Sequence, residues 1–463
     1  MRKFRDCQPT GRAGILGLVL FAVVAGTVPA DTDALLDEIS RLMAGRDFDA
    51  VLRLFAEIPD DSVEIRLLRA SALNAAGRTA EAAKLAGEIV AARPENIDAL
   101  TILADAAAIE GRDRDQRGFL ERILRVEPDN LAAISALGYG SIRSRSLRTA
   151  ADHFDRALAI DPNHPESLVG RAMIYRYERR PAEAEVLLNR AIAGNPNWAE
   201  PLHERARLYG GTGFREDALE DLNRAKALEP DNPWLYIDGA GILMELGRNA
   251  EAVEQLDRAI ALAPETFLAY VHRATAREAL DDPDGAADDY RTVMRLKPDY
   301  YFAAESLGVI LMKEGRNLAA RDAFLAAFRQ APGEFRYALL AAANWIREAG
   351  PADPRQFLTQ TIRQARPESP EWFLLRLFQE QTGDATVAAM AGREENFDNR
   401  AMLLFYLALY HDLRGERRSA DNLFLQAWEL DRRGTVEWNL NRWILGQRGL
   451  IPDPTEEQST TPP

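Results

Sequence analysis

The chain has 463 residues, of which 47% are hydrophobic and only 8% aromatic, so it can bury a large core built mainly from alanine and leucine. Lys and Arg number 57 against 72 Asp and Glu, and the net charge is -15. This acidic balance argues against sequence-independent binding to nucleic acid phosphates.

The first thirty residues have the features of an export signal. Basic residues precede an apolar stretch that runs from Gly14 to Val28, and Val28-Pro29-Ala30 supplies small residues for cleavage. We predict a signal peptide over residues 1–30, cleaved after Ala30, and a periplasmic or secreted protein. The apolar stretch is shorter than the roughly 20 residues that span a bilayer, so no stable span is expected after cleavage; an uncleaved N-terminal membrane anchor is the alternative.

The only cysteine, Cys7, lies inside this predicted leader. A mature chain without cysteine has no disulfides, no thiolate zinc site and no thiol catalysis. We therefore expect the fold to be held by packing alone.

Residues 31–62 are predicted to form a divergent N-terminal repeat of the kind that follows. Gly45, Ala50 and Leu54 fit the pattern of that repeat, and the early Pro59 predicts a short second helix.

The main body shows a period of 34 residues, with prolines at positions 94, 128, 162, 196, 230, 264, 298 and 332. Seventeen residues before each proline stands a turn residue, which is glycine in five of the eight copies. Five residues past the turn an alanine recurs in every copy except at Gln116, and apolar residues follow on the same helical face. Glycine can end a first helix in the left-handed conformation and proline cannot continue a second one, so each copy predicts two helices.

Gly247, Ala252, Leu256, Ala259 and Pro264 together resemble the tetratricopeptide repeat pattern. Eight copies are in register over residues 63–334. The resemblance implies an all-α fold, a right-handed α-α superhelical solenoid of tetratricopeptide-type helix pairs.

The pattern drifts toward the C-terminus. Residues 335–450 are predicted as degenerate repeats and a capping helix, in which Gly350 and Gly383 mark irregular units and Gly415 restores the register. This region is rich in aromatic residues, which we interpret as core. They are Trp372, Phe373, Phe378, Phe405, Tyr406, Tyr410, Trp428, Trp438 and Trp443. The polar, proline-containing segment 451–463 is predicted to be disordered.

No segment remains for a separate catalytic domain, so we expect no enzyme activity, no cofactor and no metal site. The five histidines include no HExxH motif or other close ligand pair. The Gly138-Tyr139-Gly140 cluster lacks the strand and the lysine of a phosphate loop and is interpreted as turn or helix packing. Two arginines in first helices are expected to pair with aspartates sixteen residues later, Arg205 with Asp221 and Arg273 with Asp289.

In the resembled family the first helices line a concave groove, and their second, fifth, ninth, twelfth and thirteenth places face it. Between residues 131 and 213 these places form a basic and aromatic strip, which would suit an acidic peptide or a C-terminal carboxylate. The strip consists of Tyr139, Arg143, Arg176, Tyr177, His203 and Arg207. Solvated helix faces are the alternative for its arginines.

Farther along the chain the same places are apolar and predict a surface for an amphipathic helix or an extended chain, with internal packing as the alternative. They hold Trp234, Ile237, Met244, Leu268, Val271, Phe302, Val309, Met312, Leu339 and Ile346.

The sequence therefore predicts an extracytoplasmic scaffold that binds a protein or peptide partner in its concave groove, in an envelope assembly. One alternative is a regulatory or recruiting subunit of an envelope enzyme such as a peptidoglycan hydrolase. The other is a receptor for an anionic small molecule or glycan.

Overall fold

The computed structural model describes residues 47–57, 62–350 and 352–452, with a few positions between 38 and 45. The predicted leader and the tail beyond Pro452 lie outside these residues. Within them the fold consists of 24 helices and no strand, which confirms the predicted all-α class.

The helices are numbered here in chain order. They are α1 Phe48–Glu57, α2 Val63–Ala75, α3 Thr79–Ala92, α4 Ile97–Ile109, α5 Asp113–Val126, α6 Leu131–Arg143, α7 Leu147–Ile160, α8 Pro165–Tyr177, α9 Pro181–Gly194, α10 Ala199–Thr212, α11 Arg215–Leu228, α12 Pro233–Glu245, α13 Asn249–Leu262, α14 Phe267–Ala279, α15 Pro283–Leu296, α16 Tyr301–Lys313, α17 Asn317–Gln330, α18 Phe335–Ala349, α19 Arg355–Ile362, α20 Pro370–Glu380, α21 Asp384–Arg393, α22 Phe397–Leu413, α23 Arg417–Glu429 and α24 Val436–Gln447.

From α2 onward, even-numbered helices are the first helices of the repeats and odd-numbered helices the second. All eight predicted turn residues between them have positive φ, including the non-glycine residues Arg145, Arg179 and Asp281. This backbone conformation costs an ordinary residue about 1–2 kcal/mol, which explains why glycine is common at the turn. Its absence from three copies shows that the packing of the array outweighs this cost.

The second helices end where the sequence predicted, and arginines fix their position. The residue before each repeat proline leaves the helical region, as Glu127 does with φ -125° and ψ 87°. In three second helices, α5, α7 and α9, an arginine donates to the carbonyl of the proline 28 residues earlier. The three pairs are Arg122 with Pro94 (2.6 Å), Arg156 with Pro128 (2.5 Å) and Arg190 with Pro162 (2.7 Å).

The recurring alanines lie in the core of the array. Every one of them in the column five residues past the turn is fully buried. Where the next apolar column holds Phe154, the helices on either side carry Gly138 and Gly170, and a Cβ on either glycine would overlap the phenyl ring. Gly138 lies inside α6, so the packing interpretation of its cluster is confirmed.

The described residues separate into two compact units, one up to Leu235 and one from Tyr236 onward. In the first unit, first helices of successive repeats pack directly, α2 on α4, α6 on α8 and α8 on α10. Their side is therefore the inner side of that stack. In the second unit, α20 and α22 pack on α18, and α24 packs on α16.

At the N-terminal end the repeat register differs from the prediction. Val51 and Phe55 are fully buried, whereas Ala50 and Leu54, which were expected in the core, are only half-buried. A one-residue rotation of α1 buries the larger apolar side chains. As predicted, this helix is short, with ten residues.

The aromatic residues of the C-terminal region form core, as predicted. Phe378, Phe405, Tyr406 and Tyr410 are buried. Trp372, Trp428 and Trp443 are partly buried against the same core, and the ring of Trp438 stacks on that of Trp428 with centroids 5.3 Å apart.

Candidate partner-binding site

Tyr139 lies on the inner helix α6 of the first unit and is largely used for packing. Its ring meets Phe154 edge-on at 5.2 Å between centroids, and its hydroxyl donates to the backbone carbonyl of Glu166 at 2.9 Å. Burial, reinforced by nearby carboxylates, raises the pKa of Tyr139 well above its usual value. The phenol is therefore a neutral hydrogen-bond donor that fastens α6 to the start of α8.

Arg143, at the end of the same helix, is held by the preceding repeat. Its Nε and Nη2 both lie 3.1 Å from Asp113 Oδ1, and Nη2 also donates to Gln116. Gln116 is the one residue that interrupts the alanine column, and this contact accounts for the exception. Arg143 thus supports the edge of the strip by joining α6 to α5.

Arg176 and Arg207 converge on a carboxylate that sequence periodicity did not single out. Arg176 Nη2 lies 3.2 Å from Glu204 Oε2, and Arg207 Nη1 lies 2.7 Å from Glu204 Oε1. The Glu204 side chain is only 1% exposed. Burial opposes its ionisation, but Arg176 and Arg207, with a smaller contribution from neighbouring His203, outweigh burial and lower the pKa of Glu204 to about 2. Glu204 is therefore ionised at any physiological pH.

This arrangement fixes two guanidinium groups side by side on the inner surface. Their side chains remain 26% and 25% exposed, for Arg176 and Arg207 respectively. The Arg176 guanidinium also stacks 4.9 Å from the ring centroid of Tyr177, and its Nε is buried without a hydrogen-bond partner in the described residues. The three charged groups carry a net charge of +1, and a guanidinium group can form charge-assisted hydrogen bonds with an anionic group.

The sequence placed His203 among the contact residues, and the structure corrects this. Its side chain is 5% exposed, one residue before Glu204, so it lies beneath the surface of the strip. Glu204 could have been recognised from its spacing, since it stands three residues before Arg207 and thus on the same side of α10.

The predicted apolar surface is only partly present. Phe302 is 50% exposed and stacks on Tyr301, with centroids 4.2 Å apart. Five others are half-buried, namely Trp234, Met244, Leu268, Val271 and Val309. Four are buried, namely Ile237, Met312, Leu339 and Ile346.

Met312 was a predicted contact residue and is corrected to a core residue. It belongs to one apolar cluster with Leu339, Ile346 and the α24 residues Leu440 and Ile444. The C-terminal helices thus bury side chains that an open array would have exposed. Met312, Leu339 and Ile346 therefore pack internally, which was the alternative to an apolar binding surface.

Both predicted arginine–aspartate pairs are confirmed, and each is a bidentate salt bridge. Arg205 places Nε and Nη2 each 2.7 Å from an oxygen of Asp221. Arg273 reaches Asp289 at 3.0 and 2.6 Å.

Across the described ranges, no group of three or more His, Cys, Asp or Glu side chains is placed to hold a metal ion. In the same part of the chain, no helix is both long enough and apolar enough to cross a membrane.

Comparison with known proteins identifies the repeats. A family model described as tetratricopeptide repeat matches residues 215–278, and a second one with that description matches residues 44–97 and 272–335. A search of curated proteins finds no match.

Among solved structures, the crystal structure of the APC/C hetero-tetramer Cut9–Hcn1 is similar, with a TM-score of 0.53 and 14% identity over 68% of this chain and 63% of that chain. A tetratricopeptide repeat protein from Parabacteroides merdae matches 54% of this chain and 98% of its own, with a TM-score of 0.42 and 18% identity. This chain spans less than two thirds of the Cut9–Hcn1 chain that it matches. At 14% identity, the similarity to that structure shows the fold alone. The 34-residue register, the paired helices with left-handed turns and the two family models lead to one conclusion: the chain is a tetratricopeptide repeat protein.

Proposed function

We propose that the protein is an extracytoplasmic scaffold that holds an acidic segment of a protein partner against Arg176 and Arg207, within an assembly of the cell envelope. The observation that carries this proposal is the pair of guanidinium groups fixed on buried Glu204. Tetratricopeptide repeats typically serve as non-catalytic scaffolds for protein partners, and we extend that role to this chain. The export part of the proposal rests on the predicted leader.

The anionic receptor alternative is less well supported by this geometry. Glu204 already neutralises one of the two positive charges, so a small anion would meet a net charge of only +1. A partner segment adds backbone and apolar contacts along the inner face, and these do not depend on charge.

The test is an affinity pull-down from envelope extract with residues 31–463. The site variant combines Arg176→Gln, Glu204→Gln and Arg207→Gln, because removal of the carboxylate together with its cations leaves no unpaired buried charge. The control combines Arg117→Gln with Arg148→Gln, two exposed arginines outside the strip, and lowers the net charge by two, whereas the site variant lowers it by one.

We expect a partner that the control retains and the site variant loses, in a salt-sensitive manner. A partner enzyme whose rate changes on binding would favour the recruiting-subunit alternative. Equal retention by all three proteins would remove the arginine pair from the site, and retention by none would argue against the scaffold function.

Export is tested separately by cell fractionation and N-terminal sequencing. We expect the mature chain outside the cytoplasm, beginning at residue 31. A chain that begins at Met1 and stays with the membrane would support the anchored alternative, and one that stays in the cytoplasm would contradict the proposed location.

A further inference from the structure

Asp105 lies in the ninth place of α4, the place that Tyr139 holds in α6 and Arg207 in α10. It therefore belongs to the inner face of the first unit, two repeats before the arginine pair begins. Its side chain is half-buried. Its neighbours in the helix are small, since Ala104, Ala106 and Ala107 are buried alanines.

Within the described part of the chain, no side chain or backbone group pairs with the Asp105 carboxylate. On the adjoining helices, Arg66 pairs with Glu88 at 2.6 Å, and Arg69 donates to the Phe55 carbonyl at 2.8 Å. Two further basic residues, Lys84 on α3 and Arg117 on α5, are exposed. Arg122 donates to the Pro94 carbonyl, and Arg143 pairs with Asp113.

Burial raises the pKa of Asp105 to about 7, and burial is the only cause. No acidic or basic side chain of α2, α3, α5 or α6 contributes to this shift. Glu204 provides the contrast inside the same unit, because its two arginines lower the pKa of a more deeply buried carboxylate to about 2. Asp105 thus occupies the same inner face without the counter-charge that Glu204 has.

We propose that Asp105 binds a cationic side chain, lysine or arginine, carried by the partner segment that occupies the inner face of the first unit. This inference rests on the proposed function and adds a second contact point to it. The argument is one of charge complementarity. A carboxylate that is partly removed from water and has no cation of its own protein beside it is strongly stabilised by a cation from a binding partner.

The positions of the two contact points also restrict the partner. Asp105 and Arg207 hold the same place three repeats apart, and packed helices are about 8–10 Å apart, so the two sites are separated by roughly 25–30 Å. An extended chain covers this distance in about eight residues. The partner segment should therefore carry a basic and an acidic residue about eight positions apart.

The probes are fluorescent twelve-residue peptides of Ala, Ser and Gly, with acetylated N-termini, one Lys and one Asp at separations of six to ten residues. A matched series replaces the Lys by norleucine. We expect the best Lys peptide to bind wild-type residues 31–463 at least fivefold more tightly than its norleucine counterpart at pH 8. Asp105→Asn should abolish that difference, and Glu95→Gln, which removes an exposed carboxylate just before α4, should preserve it.

The pH dependence of binding distinguishes a direct contact with Asp105 from a general effect of the lost negative charge. Lys stays protonated between pH 6 and 8, while a carboxyl with a pKa of about 7 goes from mostly protonated to mostly ionised. Affinity for the Lys peptide should therefore rise roughly five- to tenfold over this range in wild type and stay flat in Asp105→Asn.

Three outcomes would overturn the inference. Equal binding of the Lys and norleucine peptides would do so while leaving peptide binding on the inner face intact. A Lys preference that survives in Asp105→Asn would place the cation elsewhere. Binding of neither peptide would also count against it, and the proposed function would then be judged by the arginine-pair variants alone. Helical circular dichroism of Asp105→Asn checks that the variant folds.

Discussion

At the scale of single residues, Phe154 packs against two glycines of the neighbouring first helices. The phenyl ring is fully buried, and it fills space that would otherwise hold the Cβ atoms of Gly138 and Gly170. The same solution recurs in the second unit, where Gly308 faces the ring of Phe324. A phenylalanine in a second helix is thus accommodated by glycine at the facing position of a neighbouring first helix.

The first prediction concerns Gly170→Ala. Alanine is the better helix former, but its methyl group would overlap the Phe154 ring, so we expect a loss of about 1–3 kcal/mol in the free energy of unfolding. Gly118→Ala is the matched control, because that glycine lies in α5 with open space around its Cβ position and should gain about 0.5–1 kcal/mol. Urea unfolding of both variants measures the difference, and a stabilised Gly170→Ala would contradict the packing described.

The second prediction concerns the pH dependence of Asp105. Its pKa is raised from 3.8 in the unfolded chain to about 7 in the fold, so the folded state binds the proton more tightly and loses stability as pH rises from about 4 through 7. Asp105→Asn does not titrate. We therefore expect it to stabilise the protein at pH 8 by on the order of 1–3 kcal/mol, and to change little at pH 4. Thermal unfolding at the two pH values checks this, and an equal effect at both would be inconsistent with the raised pKa.

At the scale of helices, two arginines in the seventh place of first helices, Arg205 and Arg273, each join three helices. Arg205 in α10 binds Asp221 of the following helix and, through Nη1, Asn189 of the preceding second helix at 2.5 Å. Arg273 repeats the arrangement with Asp289 and Asp257. The forward pair was predicted from spacing, whereas the backward contact, also sixteen residues away, was not. Each such arginine fixes a first helix relative to both of its second-helix neighbours.

The third prediction tests this junction. Arg205→Leu leaves Asp221 buried with only Arg224, at 3.6 Å, so we expect a loss of about 2–4 kcal/mol. The double variant Arg205→Leu/Asp221→Leu should recover most of that loss, because no buried charge remains. Arg224→Leu is the control and should cost under about 0.5 kcal/mol, since this arginine is largely exposed. Equal losses in the single and double variants would show that the charge pair itself is not what stabilises the junction.

At the scale of the whole molecule, the C-terminal helices do more than continue the repeats. α24 packs on α16, and Glu437 of α24 accepts hydrogen bonds from Arg336 at 3.5 Å and from the Tyr406 hydroxyl at 3.1 Å. Arg448, just beyond α24, pairs with Asp412 and Asp421. The second unit is therefore closed by contacts between segments that are distant in sequence.

The fourth prediction is that a chain ending at Leu430, which lacks α24, exposes apolar surface of the second unit. We expect a lower melting temperature and increased binding of a hydrophobic dye, because Leu440 and Leu445 no longer cover their neighbours. A chain ending at Pro452 is the control and should match the full-length protein, as predicted for a disordered tail. Unchanged melting of the shorter chain would mean that α24 is not required for closure.

The local features of this protein followed from its sequence, because they arise within one 34-residue period. The turn residues, the proline-terminated second helices and the forward arginine pairs each depend on residues close in the chain, and a repeated signal identifies them. Arg143, Arg176 and Arg207 could likewise be assigned to one strip by their places in successive helices.

Only the tertiary structure decided the contacts that have no repeated spacing in the sequence. Arg336 meets Glu437 across 101 residues, and the cluster that buries Met312 draws on helices whose register has drifted. The same holds for charge: Glu204 and Asp105 are both carboxylates on inner helices, and only the fold shows that one has two arginines and the other none. Periodicity determines which face of a helix a residue occupies, whereas burial and counter-charge depend on which distant side chains arrive at that face.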